Sequence, residues 1–225
     1  MPIQFNIKAV IFDMDGLMID TEAIAKHAFD LAMADYDYSH EPLLFVDLIG
    51  YDERSSRRIL KHQFGDAFPF SKIRRKMVEY EKAYIHQHGI PLKKGIIELL
   101  TFLEKVNIPK GVGTTTSFNK AMKNLEITGL NQFFNHMVAG DQVENRKPAP
   151  DIFQNVGLKL DTLPKNCLVL EDSEPGIKAA HAAGMCPVMI PDMKQPSEEL
   201  KKIIFKVVPD HFAVIDLLKT LNLNT

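Results

Sequence analysis

Short apolar runs alternate with longer amphipathic stretches along most of this chain of 225 residues. The runs 9–12, 110–113, 137–139, 167–170, 187–190 and 207–208 predict strands, and the stretches 95–106, 119–128, 152–156 and 175–183 carry helical periodicity. Strands alternating with helices predict a parallel sheet with helices on both faces, a doubly wound α/β architecture. Local signals mark the helix ends. Ser117 is placed to cap 119–128, Pro150 and Pro175 suit first turns, and Gly184 suits the end of 175–183.

The alternation breaks between about Asp20 and Gly89, where only helical periodicity runs. Asp20 or Thr21 is placed to cap 23–34, Asp52 to cap 53–64, and Ser71 to cap 72–88. This predicts a helical insertion after the first strand, with residues 1–18 and 92–225 forming the core and 19–91 a separate helical domain. The basic run 72–76 reads as a solvated helix face or as a surface attracting anions.

Composition narrows the class. The chain is 45% hydrophobic and 25% charged, ordinary for a globular protein. A chain of this length buries about 70–75% of its unfolded surface, so the core needs neither disulfide nor structural metal. A net charge of -2 supplies no basic surplus for a phosphate backbone, which argues against nucleic acid as a partner. Cys167 and Cys186 are too few for a disulfide framework and read as reduced core thiols. No apolar stretch is long enough for a bilayer and no secretory signal stands at the N-terminus, so a cytoplasmic protein without membrane partners is expected, as a monomer or weak homodimer.

The chemistry concentrates at strand ends. Asp13-Met14-Asp15-Gly16 follows the first strand, Thr114-Thr115-Thr116-Ser117 the second, Lys147-Pro148-Ala149-Pro150 comes after the third, and Glu171-Asp172-Ser173 follows the fourth. Carboxyl ends of strands in an open α/β sheet form the ligand crevice. Carboxylates from the first and last stations converging there suit one hard cation such as Mg²⁺. A carboxylate also serves as a nucleophile in group transfer. A hydroxyl and backbone N–H groups at a strand-to-helix turn hold phosphate, and a lysine adds charge without fixed geometry. Mg²⁺ and Lys147 together offset the repulsion between carboxylates and a phosphate dianion. Taken singly, the Thr114 and Lys147 stations read as a polar turn and a surface loop; their order on successive strands is the specific signal.

These residues resemble the haloacid dehalogenase superfamily, in its β-phosphoglucomutase-like and sugar-phosphatase-like branch. The resemblance rests on Asp13-Met14-Asp15-Gly16-Leu17, Asp20-Thr21-Glu22, Thr114, the run from Lys147 to Phe153, the run from Glu171 to Gly176, Ala179-Ala180 and Ala183-Gly184-Met185, and it reaches to about Asp192. It implies a Rossmann-like core under an inserted α-helical cap. It implies Asp13 as the nucleophile that forms an aspartyl-phosphate. Asp15 is implied as acid to the leaving alcohol and then base for water, with its carbonyl facing Mg²⁺. Thr114 and the Thr115 N–H would hold phosphate, Lys147 would neutralise Asp13 and the phosphate, and Asp172 with Glu171, directly or through water, would complete the metal's ligands. Ser173 would support those ligands or shape a turn.

Within the family, an acid at Asp15 favours phosphate esters, because an alcohol leaving group needs a proton whereas a halide does not. The mutase relatives place a histidine soon after the Asp-Thr pair. Here that position is Ala25, and His27 lies two residues on, about 200° around a helix. Their cap arginine three residues after a glycine is matched only loosely by Gly50 and Arg54. The expected function is therefore a Mg²⁺-dependent phosphatase acting on a small phosphorylated metabolite such as a sugar phosphate, polyol phosphate or nucleotide. A hexose phosphate mutase and a non-catalytic phosphate-binding module are the alternatives. Tyr51 and Arg54 are the expected specificity residues over the leaving group; solvent-facing Arg54 and Arg57 on a helix capped by Asp52 is the competing reading.

Overall fold

The structure, a computed structural model, describes residues 6–49 and 53–222. Six parallel strands form one sheet: β1 (Ala9–Phe12), β2 (Lys110–Gly113), β3 (Met137–Val138), β4 (Cys167–Glu171), β5 (Cys186–Met189) and β6 (Lys206–Val207), in the order β3-β2-β1-β4-β5-β6. The helices are α1 (Thr21–Ala34), α2 (Leu44–Leu48), α3 (Glu53–Phe64), α4 (Phe70–His88), α5 (Ile96–Lys105), α6 (Phe118–Thr128), α7 (Asp151–Lys159), α8 (Glu174–Ala182), α9 (Glu198–Lys201) and α10 (His211–Asn222). This is the expected α/β architecture. None of the described helices is long and apolar enough to cross a membrane.

The chain divides into two compact units, one of residues 1–19 and 91–225 and the other of residues 20–90. In the first, β1 sits at the centre, pairing with β2 on one side and β4 on the other in the register Ile11↔Gly111 and Ile11↔Val169. All four residues of β1 are fully buried, which is why its sequence is a continuous apolar run and not an alternating one. Ala9, Ile11, Cys167 and Val169 share one face and pack against Ile152, Phe153 and Val156 of α7 and Ala179 and Ala180 of α8. Small alanines on α8 let that helix lie close to the strands.

In the second unit the apolar positions of α1 repeat at helical spacing. Ile24, Ala28, Phe29, Ala32 and Met33 are buried, and the last three belong to a cluster that includes Leu60, Phe68, Phe70 and Ile73. Tyr80 of α4 donates its hydroxyl to Asp35 Oδ2 at 2.7 Å. Glycine at Gly89, in the left-handed region at φ 74°, ends α4.

Several element ends differ from the sequence reading. β3 stops at Val138 because the Ala139 N–H turns to the Gln142 side chain at 2.9 Å instead of joining a ladder. α4 begins at Phe70 with Pro69 at its cap position, so Ser71 lies inside the first turn and does not cap. Ser117 occupies the cap position of α6 without a capping bond; Asp141 Oδ1 accepts from the Phe118 N–H at 2.8 Å instead. The expected cap Asp52 lies outside the described residues. Cys167 and Cys186 are buried and free, and burial pushes their thiols up to about 11 and about 12.

Candidate active site

The strand order reverses between β1 and β4, since the chain steps from β1 to β2 and β3 on one side before crossing to β4 on the other. Ligand crevices in doubly wound sheets open beyond the carboxyl ends of the strands at such a point. Asp13 and Glu171-Asp172 extend from β1 and β4, so this topology brings their side chains together.

Lys147 ties the group together. Its side chain, 3% exposed, donates from Nζ to Asp13 Oδ1, to Glu171 Oε1 at 2.7 Å and to the Gly113 carbonyl at 2.8 Å. The same ammonium lies 4.4 Å from the centre of the Phe153 ring. Burial works against the charge, but the carboxylates of Asp13 and Glu171 outweigh it and hold Lys147 protonated above the usual lysine range. Asp13 responds in the other sense. Burial, reinforced by the charges of Glu171 and Asp15, pushes its carboxyl up to about 7 even with Lys147 pulling it down.

Glu171 is fully buried. Its Oε2 accepts from the backbone N–H of Asp172 at 3.0 Å, the N–H of Ser173 at 2.9 Å and the Ser173 hydroxyl at 2.8 Å. With Lys147 on Oε1, both oxygens already hold donors. Ser173 also caps α8, its Oγ accepting from the Gly176 N–H at 3.2 Å. One Ser173 hydroxyl thus both shapes the turn and fixes the Glu171 carboxylate.

Asp13, Glu171 and Asp172 offer carboxylate oxygens that all lie within 4.8 Å of one another, a hard-oxygen set that fits a small divalent cation. Gly16, at φ 82°, lets the chain turn past this cluster. A Cβ there would stand 2.4 Å from Asp172 Oδ2. Beyond β5, Asp192 approaches the same glycine and pairs with Lys93 at 2.5 Å, a neighbour the sequence reading did not include.

The Thr114 station is a tight turn. Thr114 is buried, and its Oγ1 accepts from the Thr116 N–H at 3.1 Å. Thr115 is exposed at the turn. The Thr116 hydroxyl donates to Asp15 Oδ2 at 2.7 Å, a link over 101 residues that no local pattern announces.

The residues expected in the helical unit stand apart from this description. Tyr51 lies outside the described residues. Arg54 is exposed at the start of α3, on an open groove of about 640 Å³ lined with Arg57, Arg58, Lys61 and His62. Arg57 is engaged locally, with Glu53 at 3.2 Å and over the Phe70 ring at 4.7 Å. His27 packs its ring against Tyr84 at 5.8 Å.

Residues 10–190 match the model of a family described as haloacid dehalogenase-like hydrolase. A phosphorylated carbohydrates phosphatase of Thermotoga maritima is 31% identical over 179 residues, covering 80% of this chain and 82% of the relative. A fructose-1-phosphate phosphatase of Escherichia coli is 30% identical over 182 residues, 78% of this chain and 92% of the relative. Among solved structures, CbbY of Rhodobacter sphaeroides in complex with phosphate superposes with a TM-score of 0.70 at 28% identity, covering 91% of this chain and 95% of that one.

Proposed function

Because the chain belongs to the haloacid dehalogenase-like hydrolases, we propose that it hydrolyses a small phosphate monoester, a sugar or polyol phosphate or a nucleotide, through an aspartyl-phosphate on Asp13. The observation that carries this reading is the buried Asp13 carboxylate gripped by Lys147 beside Glu171 and Asp172 at the reversal of the sheet. A nucleophilic carboxylate needs its charge retained in a dry pocket, and Lys147 supplies the counter-charge.

In the first half-reaction an Asp13 oxygen attacks phosphorus while the bond to the leaving alcohol breaks. Protonated Asp15 gives that oxygen its proton. In the second, ionised Asp15 takes a proton from water as the water oxygen attacks phosphorus and the Asp13–phosphorus bond breaks, restoring both carboxyl groups. Lys147 balances charge on Asp13 and the phosphoryl oxygens, and Thr114 with the Thr115 N–H holds the phosphate. Asp13, Asp172 and the Asp15 carbonyl, with Glu171 directly or through water, would hold Mg²⁺, whose charge further offsets the carboxylates and the phosphoryl group. The helical unit of residues 20–90 acts as a cap that selects the leaving group, with Tyr51 and Arg54 as its specificity residues.

The test is phosphate release from a panel of small esters, with Mg²⁺ and with chelator, beside Asp13→Asn. Release that needs both the metal and Asp13 is expected. Metal-independent release, or turnover by Asp13→Asn near the wild-type rate, refutes the mechanism. Conversion of β-glucose 1-phosphate to glucose 6-phosphate without release would favour the mutase.

A further inference from the structure

Asp15 must reach two different oxygens in one cycle, that of the leaving alcohol and that of the attacking water. Its carboxyl group therefore has to be aimed. Asp15 sits half-buried in a tight loop where the Gly16 N–H meets the Ile19 carbonyl at 2.9 Å and the Met18 N–H meets the Met14 carbonyl at 2.9 Å. This fixes its backbone, yet leaves the direction of the carboxyl plane to side-chain contacts.

Thr116 is built to supply one. Its backbone is held on both sides, by its N–H to Thr114 Oγ1 at 3.1 Å and by its carbonyl, which accepts from the Gly140 N–H at 3.0 Å. Gly140 is itself anchored, since its carbonyl accepts from Arg146 Nε at 2.9 Å. Two residues before Thr116, Thr114 ties the turn to the sheet, its N–H bonding the Val138 carbonyl at 3.1 Å. A β-branched side chain on so constrained a backbone has few rotamers, and the one present places its hydroxyl 2.7 Å from Asp15 Oδ2. A hydroxyl can donate to a carboxylate and accept from a carboxylic acid, so it can follow Asp15 through both protonation states.

We propose that Thr116 is a positioning residue for the acid-base step, orienting the Asp15 carboxyl group toward the leaving oxygen. The inference rests on the phosphatase reading and adds a residue to it. Proton donation matters most when the leaving group is a poor one. An alkyl phosphate needs Asp15 to protonate its alkoxide, whereas p-nitrophenolate leaves unaided. kcat/KM reports steps up to departure of that group, so it isolates this role from the later attack by water.

The experiment measures kcat/KM for p-nitrophenyl phosphate and for whichever of glycerol 3-phosphate and fructose 1-phosphate wild type hydrolyses faster. The variants are Thr116→Val, Thr116→Ser and Asp13→Asn, with circular dichroism and melting of each. Thr116→Val is expected to lose about 10- to 100-fold on the alkyl ester, the range for a hydrogen bond to a charged group, and less than about threefold on the aryl ester. Thr116→Ser, which keeps the hydroxyl, is expected to return the alkyl ester to within about threefold of wild type. An equal fall on both esters, or one that serine does not restore, overturns the role of Thr116 alone. No hydrolysis of any ester by wild type, or undiminished hydrolysis by Asp13→Asn, overturns the phosphatase reading and this inference with it.

Discussion

Replacing Lys147 with methionine keeps the stem of the side chain and removes its charge. In the folded protein Asp13 and Glu171 would then face each other with their oxygens within 4.8 Å and without the ammonium that bonds to both. Two unit charges at that separation repel by about 3.5 kcal/mol at an effective dielectric of about 20, in the range of about 3–5 kcal/mol for breaking a buried ion pair. For a chain of this size that corresponds to a fall in Tm of about 7–14 °C. The deficit should depend on pH. Burial already pushes Asp13 up to about 7, and losing Lys147, which pulls it down, raises it further. A carboxyl group with a folded-state pKa above its unfolded value binds protons more tightly when folded. Its contribution is present at low pH and lost as pH rises through the folded pKa. The gap between variant and wild type should therefore widen above pH 7, by up to about 1.4 kcal/mol per pH unit for one proton. Melting with EDTA at pH 6, 7, 8 and 9 measures this without a dication lending its charge. A deficit that is the same at every pH, or a Tm unchanged at pH 8, would refute the charge argument and leave Lys147 a packing residue.

Gly176→Ala would place a Cβ 1.7 Å from Glu171 Oε1 and 1.9 Å from its Cδ, so the carboxylate must leave its three donors at the start of α8. We expect turnover to fall at least about 100-fold and Tm to drop, checked by phosphate release and thermal melting; wild-type behaviour in both would mean that Glu171 is not held as described. His211 is nearly inaccessible, with Nδ1 at 3.0 Å from the Lys94 carbonyl, and burial lowers its pKa. A lowered histidine binds protons more tightly unfolded, so stability should fall as pH drops below about 6.5, by up to about 1.4 kcal/mol per unit. Urea titrations of wild type and His211→Gln between pH 5 and 7 should show a shallower slope in the variant, and equal slopes would clear His211 of any part in acid sensitivity.

How legible each part was depends on how local its cause is. β1 could be read to the residue because a strand covered on both faces has no polar positions to blur its ends. α7 runs on to Lys159 although the reading stopped at Val156, for Gly157 lies inside the helix, where a Cβ would stand 3.0 Å from the end of the Met185 side chain. α10 was not read at all, although Val214 and Leu218 are buried at helical spacing. α2 and α9 are too short to show a period. The meeting of Asp13, Glu171 and Asp172 was anticipated because they stand at the ends of β1 and β4, and that of Lys147 because its loop follows β3. The contact of Thr116 with Asp15 was not, since it depends on how two turns are pinned to different strands.

The chain leaves the sheet unit at Ile19 and re-enters at Pro91. The two crossings are stitched side by side, Ile19 bridging Leu92 and the Met18 carbonyl accepting from the Lys93 N–H at 3.0 Å. To the sheet, everything between them is one loop whose mouth is already closed. The entropy of closing such a loop grows only with the logarithm of its length. An ancestor could therefore have lengthened, shortened or exchanged the inserted helices at little cost to the sheet's own folding. Changes in the sheet unit and in the inserted helices could in this way accumulate independently within one polypeptide.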